Sequence, residues 1–112
     1  MTSITISQAS ELIWDLLQTL EDTYWEANTC DGKDQVFNLI RLLTSEYMEL
    51  LKISVQDHHY EYEVITVSPH ELRHTLEDFQ LVCHSLTRRQ RTAEQLAGLL
   101  KRFNHHLHVS AS

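Results

Sequence analysis

The sequence has few of the residues that interrupt secondary structure or cross-link a chain. Only two glycines and one proline occur in 112 residues, so long helices are expected. The two cysteines, Cys30 and Cys83, lack the C-x-x-C spacing of a zinc ribbon and are too few for a disulfide framework. Such low cysteine usage is typical of a reducing compartment, and we expect a cytoplasmic protein.

Long apolar runs and basic residues are scarce as well. Nowhere do about 18 uncharged apolar residues follow one another, so no transmembrane helix is predicted. The first residues, MTSITISQASEL, lack the basic region of a signal peptide. Lysine and arginine number 9 against 16 acidic residues, a net charge of -7. Because this charge repels phosphate groups, we do not expect binding to nucleic acid, and no membrane association is expected.

Apolar residues recur at helical spacing through most of the chain, which predicts four amphipathic helices. Their expected ranges are about Gln8 to Ala27, Gln35 to Val55, Pro69 to Leu86 and Ala93 to Leu107. The polar run NTCDGKD, with its Asp31-Gly32 pair, is expected to form the turn between the first two helices. The pattern Thr92-x-x-Gln95 predicts a capping box at the start of the fourth.

The helical period fails only between the second and third helices. In the run YEYEVITV, residues 60–67, apolar and charged residues alternate, which indicates an extended segment or a short strand. Apolar positions cover more than half of the second helix, so it is expected to be the central one. The sequence therefore predicts an all-α fold, a small four-helix bundle, with residues 1–112 in a single helical domain.

The run HELRH, residues 70–74, matches the zinc-hydrolase pattern H-E-x-x-H. In that pattern two histidines on one helical face hold zinc and the glutamate activates a water molecule. Glu94 follows at a separation similar to that of the third ligand in thermolysin-like zinc peptidases. However, periodicity places His70 and His74 opposite the apolar face of their helix. We therefore expect no peptidase, only weak metal binding at the surface, and a zinc hydrolase is the most remote alternative.

Glu46 is the one carboxylate that falls inside the apolar sector of the second helix, and Glu49 follows one turn later. A buried carboxylate must be paired, protonated or bound to a cation. The run CDGKDQVFNLIRLLTSEYMELLK resembles the E-x-x-E helix of MazG-type nucleoside triphosphate pyrophosphohydrolases. This resemblance implies magnesium held by Glu46 and Glu49. The family's second pair, E-x-x-D, falls on Thr75-x-x-Asp78, so only Asp78 matches.

Two tryptophans of the first helix lie outside its aliphatic stripe. Trp14 and Trp25 are eleven residues apart and project within about 20° of each other. The candidate interface residues are these two tryptophans and, on the tyrosine-rich segment, Tyr60 and Tyr62; the alternative is that the tryptophans pack against that segment. The sequence thus favours a non-catalytic adaptor or regulator without a cofactor, which binds a protein partner or forms a homodimer. The alternative is a magnesium-dependent pyrophosphohydrolase.

Overall fold

The computed structural model describes residues 4–27, 29–86 and 90–106, which form four helices. These are α1 (Ile6–Glu26), α2 (Cys30–Leu51), α3 (Pro69–Leu86) and α4 (Gln90–His106), with a short 3-10 helix at Val55–Asp57. The described residues contain no strand, so the prediction of an all-α fold is confirmed. Residues 60–67 form an irregular segment with one isolated bridge, between Thr5 and Glu61, so the short strand considered as an alternative is not formed.

The helix ends follow the capping residues. α1 begins at Ile6, two residues before the predicted start, because Thr5 and Gln8 form a reciprocal capping box. α2 begins at Cys30 because the Thr29 hydroxyl accepts the Gly32 amide at 3.0 Å. Thus Asp31-Gly32 lies inside a helix, and the prediction of a turn there was wrong.

The predicted capping box at Thr92 was also wrong. α4 begins at Gln90, which places Thr92 inside the helix, where its hydroxyl donates to Glu26 Oε2 at 2.8 Å. This bond ties the start of α4 to the end of α1. The predicted end of the fourth helix, Leu107, lies outside the described residues. The range predicted for α3, which Ser68 opens by accepting the Glu71 amide at 3.1 Å, is confirmed.

α1 and α4 are the inner helices, because α1 packs against α2 and α4, and α4 packs against α1 and α3. This corrects the prediction that α2 would be central. α2 packs mainly against α1, and part of its wide apolar surface is exposed. The core consists of Ile6, Ala9, Leu12, Ile13, Leu16, Leu20, Val36, Leu39, Leu43, Leu50, Tyr62, Leu72, Leu76, Phe79, Leu96, Leu99, Leu100 and Phe103.

The 58–66 segment crosses the start of α1. The first amides of a helix have no partner within it; here the Ile6 and Ser7 amides donate to the carbonyls of Tyr60 (2.9 Å) and His58 (3.0 Å). The Tyr62 amide donates to the Ile4 carbonyl at 2.8 Å. The segment therefore completes the hydrogen bonding at the start of α1, and its later residues, 62–66, contact α2.

Candidate functional site

Glu46 lies on the inner side of α2 with 1% of its surface exposed. Four donors from the 58–66 segment reach its carboxylate. Oε2 accepts from the Tyr62 hydroxyl at 2.8 Å and from the Ile65 amide at 2.9 Å. Oε1 accepts from the Thr66 amide at 3.0 Å and from the Thr66 hydroxyl at 2.8 Å. We call this group of four residues the Glu46 clamp.

The Glu46 clamp leaves the carboxylate no room for a cation. An ionised carboxylate has about four lone-pair positions, and two donors occupy each oxygen. Burial, together with the charge of Glu46 and the hydrogen bond to it, raises the pKa of the Tyr62 hydroxyl far above its ordinary value. The hydroxyl therefore stays protonated and donating, and the arrangement serves to hold the 58–66 segment against α2.

The other carboxylates of the magnesium hypothesis do not join Glu46. Glu49 lies at the surface, where it pairs with Lys52 at 2.8 Å. Asp78 is exposed on α3 and lies 3.4 Å from His74 Nε2. Nowhere in the described part of the chain do three histidine, cysteine or acidic side chains cluster as a metal site would require. The structure does not bring the three candidate ligands together.

The H-E-x-x-H residues lie on the outside of α3. His70 and His74 are both exposed, on the face where the periodicity places them, and Glu94 is exposed on α4. His74 makes a surface ion pair with Asp78 when it is protonated. A hydrolytic zinc site needs its ligands and an open coordination position within a shaped cavity. The exposed face of α3 does not have this arrangement.

A large apolar surface lies across α1 and α2, and we call it the α1–α2 face. Trp14 of α1 is 49% exposed, and its ring lies 5.7 Å from the ring of Tyr47 on α2. Next to Tyr47, Met48 and Leu51 are each 53% exposed, and Phe37 is 49% exposed. Phe37, Met48 and Leu51 project within about 60° of one another on α2. The α1–α2 face therefore consists of these four exposed residues together with the half-buried Tyr47.

Trp25 lies at the far end of α1 and is 73% exposed. Its ring packs edge-on against Tyr24 at 5.3 Å, and the Lys33 ammonium lies 4.5 Å from the Tyr24 ring and 5.6 Å from the Trp25 ring. The same ammonium donates to the Tyr24 carbonyl at 2.6 Å. Lys33 thus occupies the C-terminal end of α1, where a cation is favoured, and is committed to that position.

The two tyrosines proposed as interface residues lie in different environments. Tyr60 is exposed, with its ring against His59. Tyr62 is buried in the core, next to Phe103, and contributes no surface. The interpretation of Tyr62 as an interface residue is therefore corrected. The tryptophans are not covered by this segment either, because Trp14 packs against Tyr47 of α2.

Sequence reasoning did not identify Phe37, Met48 and Leu51 as exposed, because they belong to the wide apolar sector of a helix that was expected to be central. A signal for them existed in the width of that sector. One neighbouring helix covers a sector of about 100° or somewhat more, and a wider sector needs a second neighbour. α3 faces α2 at Gln35, Asn38 and Leu39, on a different side of the helix from these three residues.

A concave surface lies between α2 and α3. It is an open groove of about 390 Å³ lined by Gln35, Asn38, Leu39, Thr75, Asp78, Phe79 and Val82. Leu39 and Phe79 form an apolar floor, and amide, hydroxyl and carboxylate groups form the rim. It contains Asp78 but no other candidate ligand, so it does not extend the magnesium hypothesis.

None of the described helices combines the length and the apolarity that a membrane span requires. Comparisons with protein-family models, with curated proteins and with solved structures found no match.

Proposed function

We propose that this protein is a non-catalytic interaction module, an adaptor or regulator that binds a protein through the α1–α2 face. The observation that carries the proposal is the exposure of Trp14, Phe37, Met48 and Leu51 on one side of two packed helices. Isolated exposed apolar residues are ordinary, but clusters of large ones are typical of interaction surfaces. Aromatic residues and methionine are also enriched in the centres of such surfaces. The partner is a second copy, as in a homodimer, or another protein, and a cytoplasmic location fits the low cysteine usage.

The rigidity of this surface supports the proposal. Trp14 packs on Tyr47, and Tyr47 packs against the core. Side chains that are already held in place lose less conformational entropy when a partner binds. The α1–α2 face is thus arranged to bind without large rearrangement.

The hydrogen bonds that Glu46 accepts argue against the pyrophosphohydrolase alternative. In that reaction the carboxylates must hold magnesium, and the Glu46 oxygens are filled by the four donors of the clamp. We therefore expect thermal stability to be the same with and without Mg²⁺, as differential scanning calorimetry can measure. A clear Mg²⁺-dependent rise that Glu46→Gln removes would restore the enzyme as the leading function.

Site-specific photo-crosslinking tests the interaction directly. A benzophenone amino acid replaces Met48 in the protein expressed in its own cells, and in a matched control it replaces Leu81, which is exposed on α3. We expect an adduct from position 48, to a second copy or to another protein, that is absent at position 81. The additional change Trp14→Ser should weaken the adduct. Equal adducts at the two positions, or none at position 48, would contradict the proposed function.

A further inference from the structure

The chemistry around the α1–α2 face selects among its possible occupants. We propose that it binds an amphipathic helix of another protein with an apolar stripe and basic flanks, in preference to a second copy of this chain. This inference rests on the proposed function and gives the partner a chemical class. It follows from three features: the shape of the surface, its charge, and the distribution of charge over the rest of the chain.

The shape fits a helix. Phe37 and Leu51 are fourteen residues apart, so the exposed stripe of α2 runs for about 20 Å along the helix, with Met48 one turn before Leu51. Trp14 borders this stripe from α1 through Tyr47. The exposed Arg41 and Thr44 interrupt the stripe between Phe37 and Met48. A surface of this length bordered by a second helix suits an amphipathic helix that presents apolar residues at i, i+3, i+4 and i+7.

The charge on the flanks is mostly negative. α1 contains five acidic residues and no basic residue. Glu21 lies between the two tryptophans on its exposed side, with Asp22 beside it, and Asp34 flanks the stripe on α2. Of the two lysines nearby, Lys52 pairs with Glu49, whereas Lys33 donates to the neutral Tyr24 carbonyl and keeps its positive charge.

Around the α1–α2 face, the three acidic residues Glu21, Asp22 and Asp34 therefore outnumber the two cations, Arg41 and Lys33. Complementary charge on the partner would be lysine or arginine beside its apolar stripe, which adds specificity and speeds association. An acidic helix with the same apolar stripe would be repelled.

The same charge disfavours a second copy. A closed two-fold dimer places the same surface patch of both copies in contact, so acidic flanks would meet acidic flanks. The basic residues of α4 do not make a second copy a better partner. The exposed described residues of α4 include Arg91, Lys101 and Arg102 but no large apolar side chain. The exposed residues of α4 thus have the positive charge expected of the partner but not its apolar stripe.

Binding of designed peptides tests the inference. The basic probe is a leucine–lysine amphipathic helix of about 18 residues, enough to span the stripe. One control replaces every lysine with glutamate and keeps the leucine stripe, and a second keeps the composition but scrambles the order. Because the peptides contain no tryptophan, the emission of Trp14 and Trp25 reports binding, and isothermal titration calorimetry gives the Kd.

We expect the basic helix to bind at least about tenfold more tightly than either control peptide. The protein variant Met48→Ser/Leu51→Ser should lose at least about tenfold in affinity, whereas Leu81→Ser should bind like the wild type. Equal binding of the basic and acidic helices would overturn the inference. So would binding of the basic helix that survives Met48→Ser/Leu51→Ser, because it would show charge attraction without the apolar surface.

Sedimentation of the purified protein separates this inference from the proposed function. We expect a monomer. A wild-type dimer that Met48→Ser/Leu51→Ser dissociates would show that a second copy occupies the face; the proposed function would then stand and the basic-helix inference would be wrong. Failure of crosslinking at position 48 together with failure of the peptide to bind would remove both.

Discussion

Each of the two sides of α2 carries an exception to the usual distribution of polar and apolar residues. The inner side holds a carboxylate, Glu46, in the core, and the outer side exposes Phe37, Met48 and Leu51. The inner anomaly is resolved within the chain, because four donors satisfy the carboxylate. The outer one is not resolved by any described part of the chain. The difference separates a residue that serves the fold from residues available to a partner.

Loss of the Glu46 carboxylate is expected to have the largest effect. Glu46→Ala removes the acceptor of four donors and leaves the buried Tyr62 hydroxyl and the part-buried amides of Ile65 and Thr66 without this partner. An unsatisfied buried group costs about 1–3 kcal/mol, and a part-buried one costs less, so we expect the free energy of unfolding to fall by about 2–4 kcal/mol. Urea denaturation followed by circular dichroism measures this change.

Glu49→Ala is the matched control, since it removes a carboxylate one turn away on the same helix. Its ion pair with Lys52 is at the surface, where such pairs contribute at most about 1 kcal/mol. Similar losses in the two variants would mean that the clamp contributes nothing beyond helix propensity.

Removal of a single donor is expected to have a smaller effect. Tyr62→Phe keeps the ring beside Phe103 and deletes only the hydroxyl that donates to Glu46. Because three donors remain on the carboxylate, we expect a loss of about 1–2 kcal/mol, typical of a hydrogen bond to a charged group. Tyr60→Phe changes an exposed ring and should leave the free energy of unfolding unchanged. A neutral Tyr62→Phe would contradict the geometry of the clamp.

Alkaline pH tests the same contact without a change of acceptor. Folding raises the pKa of Tyr62, so the folded state keeps a proton that the unfolded state loses above about pH 10. Stability should therefore decline above pH 10 in the wild type, by up to about 1.4 kcal/mol per pH unit from this group. Below pH 10 the contribution is fully present. The decline should be shallower in Tyr62→Phe, and parallel curves would show that Tyr62 does not titrate as the structure implies.

The outer side of α2 is expected to have the smallest effect on stability. Met48→Ser/Leu51→Ser removes apolar groups that are already half exposed, so we expect the free energy of unfolding to change by less than about 1 kcal/mol. Guanidinium denaturation checks this value. A loss as large as that of Glu46→Ala would show that these side chains belong to the core and would undermine their role in binding.

Periodicity predicted the helices better than their ends or neighbours. Repeating apolar positions fixed the four-helix fold, and Ser68-Pro69 correctly marked the start of α3. The starts of α2 and α4 were misjudged, because Thr29 caps α2 ahead of the Asp31-Gly32 pair, and Thr92, which was expected to be a cap, lies within α4. Thr92 is used to bind Glu26, a residue 66 positions away.

At the candidate site, the need for hydrogen-bond partners was predictable, but the identity of those partners was not. The sequence showed that Glu46 would be buried and would need a partner. Its partners are two backbone amides and two hydroxyls in a segment with no regular structure, and no side-chain pattern in the sequence predicts such an arrangement. Likewise, the exposure of Met48 and Leu51 depends on which sides of α2 the other helices pack against, which amphipathicity does not determine.

The Glu46 clamp also affects the unfolding rate of the protein. Its donors lie 16 to 20 residues beyond Glu46 in the chain, and the same segment holds the start of α1. A helical hairpin of α1 and α2 can assemble from local contacts first, and the clamp closes only when the later segment arrives. Contacts formed after the transition state slow unfolding and leave the folding rate almost unchanged. The buried carboxylate would then stabilise the native state but not the transition state for folding. Stopped-flow kinetics of Glu46→Ala should therefore show faster unfolding with nearly wild-type refolding.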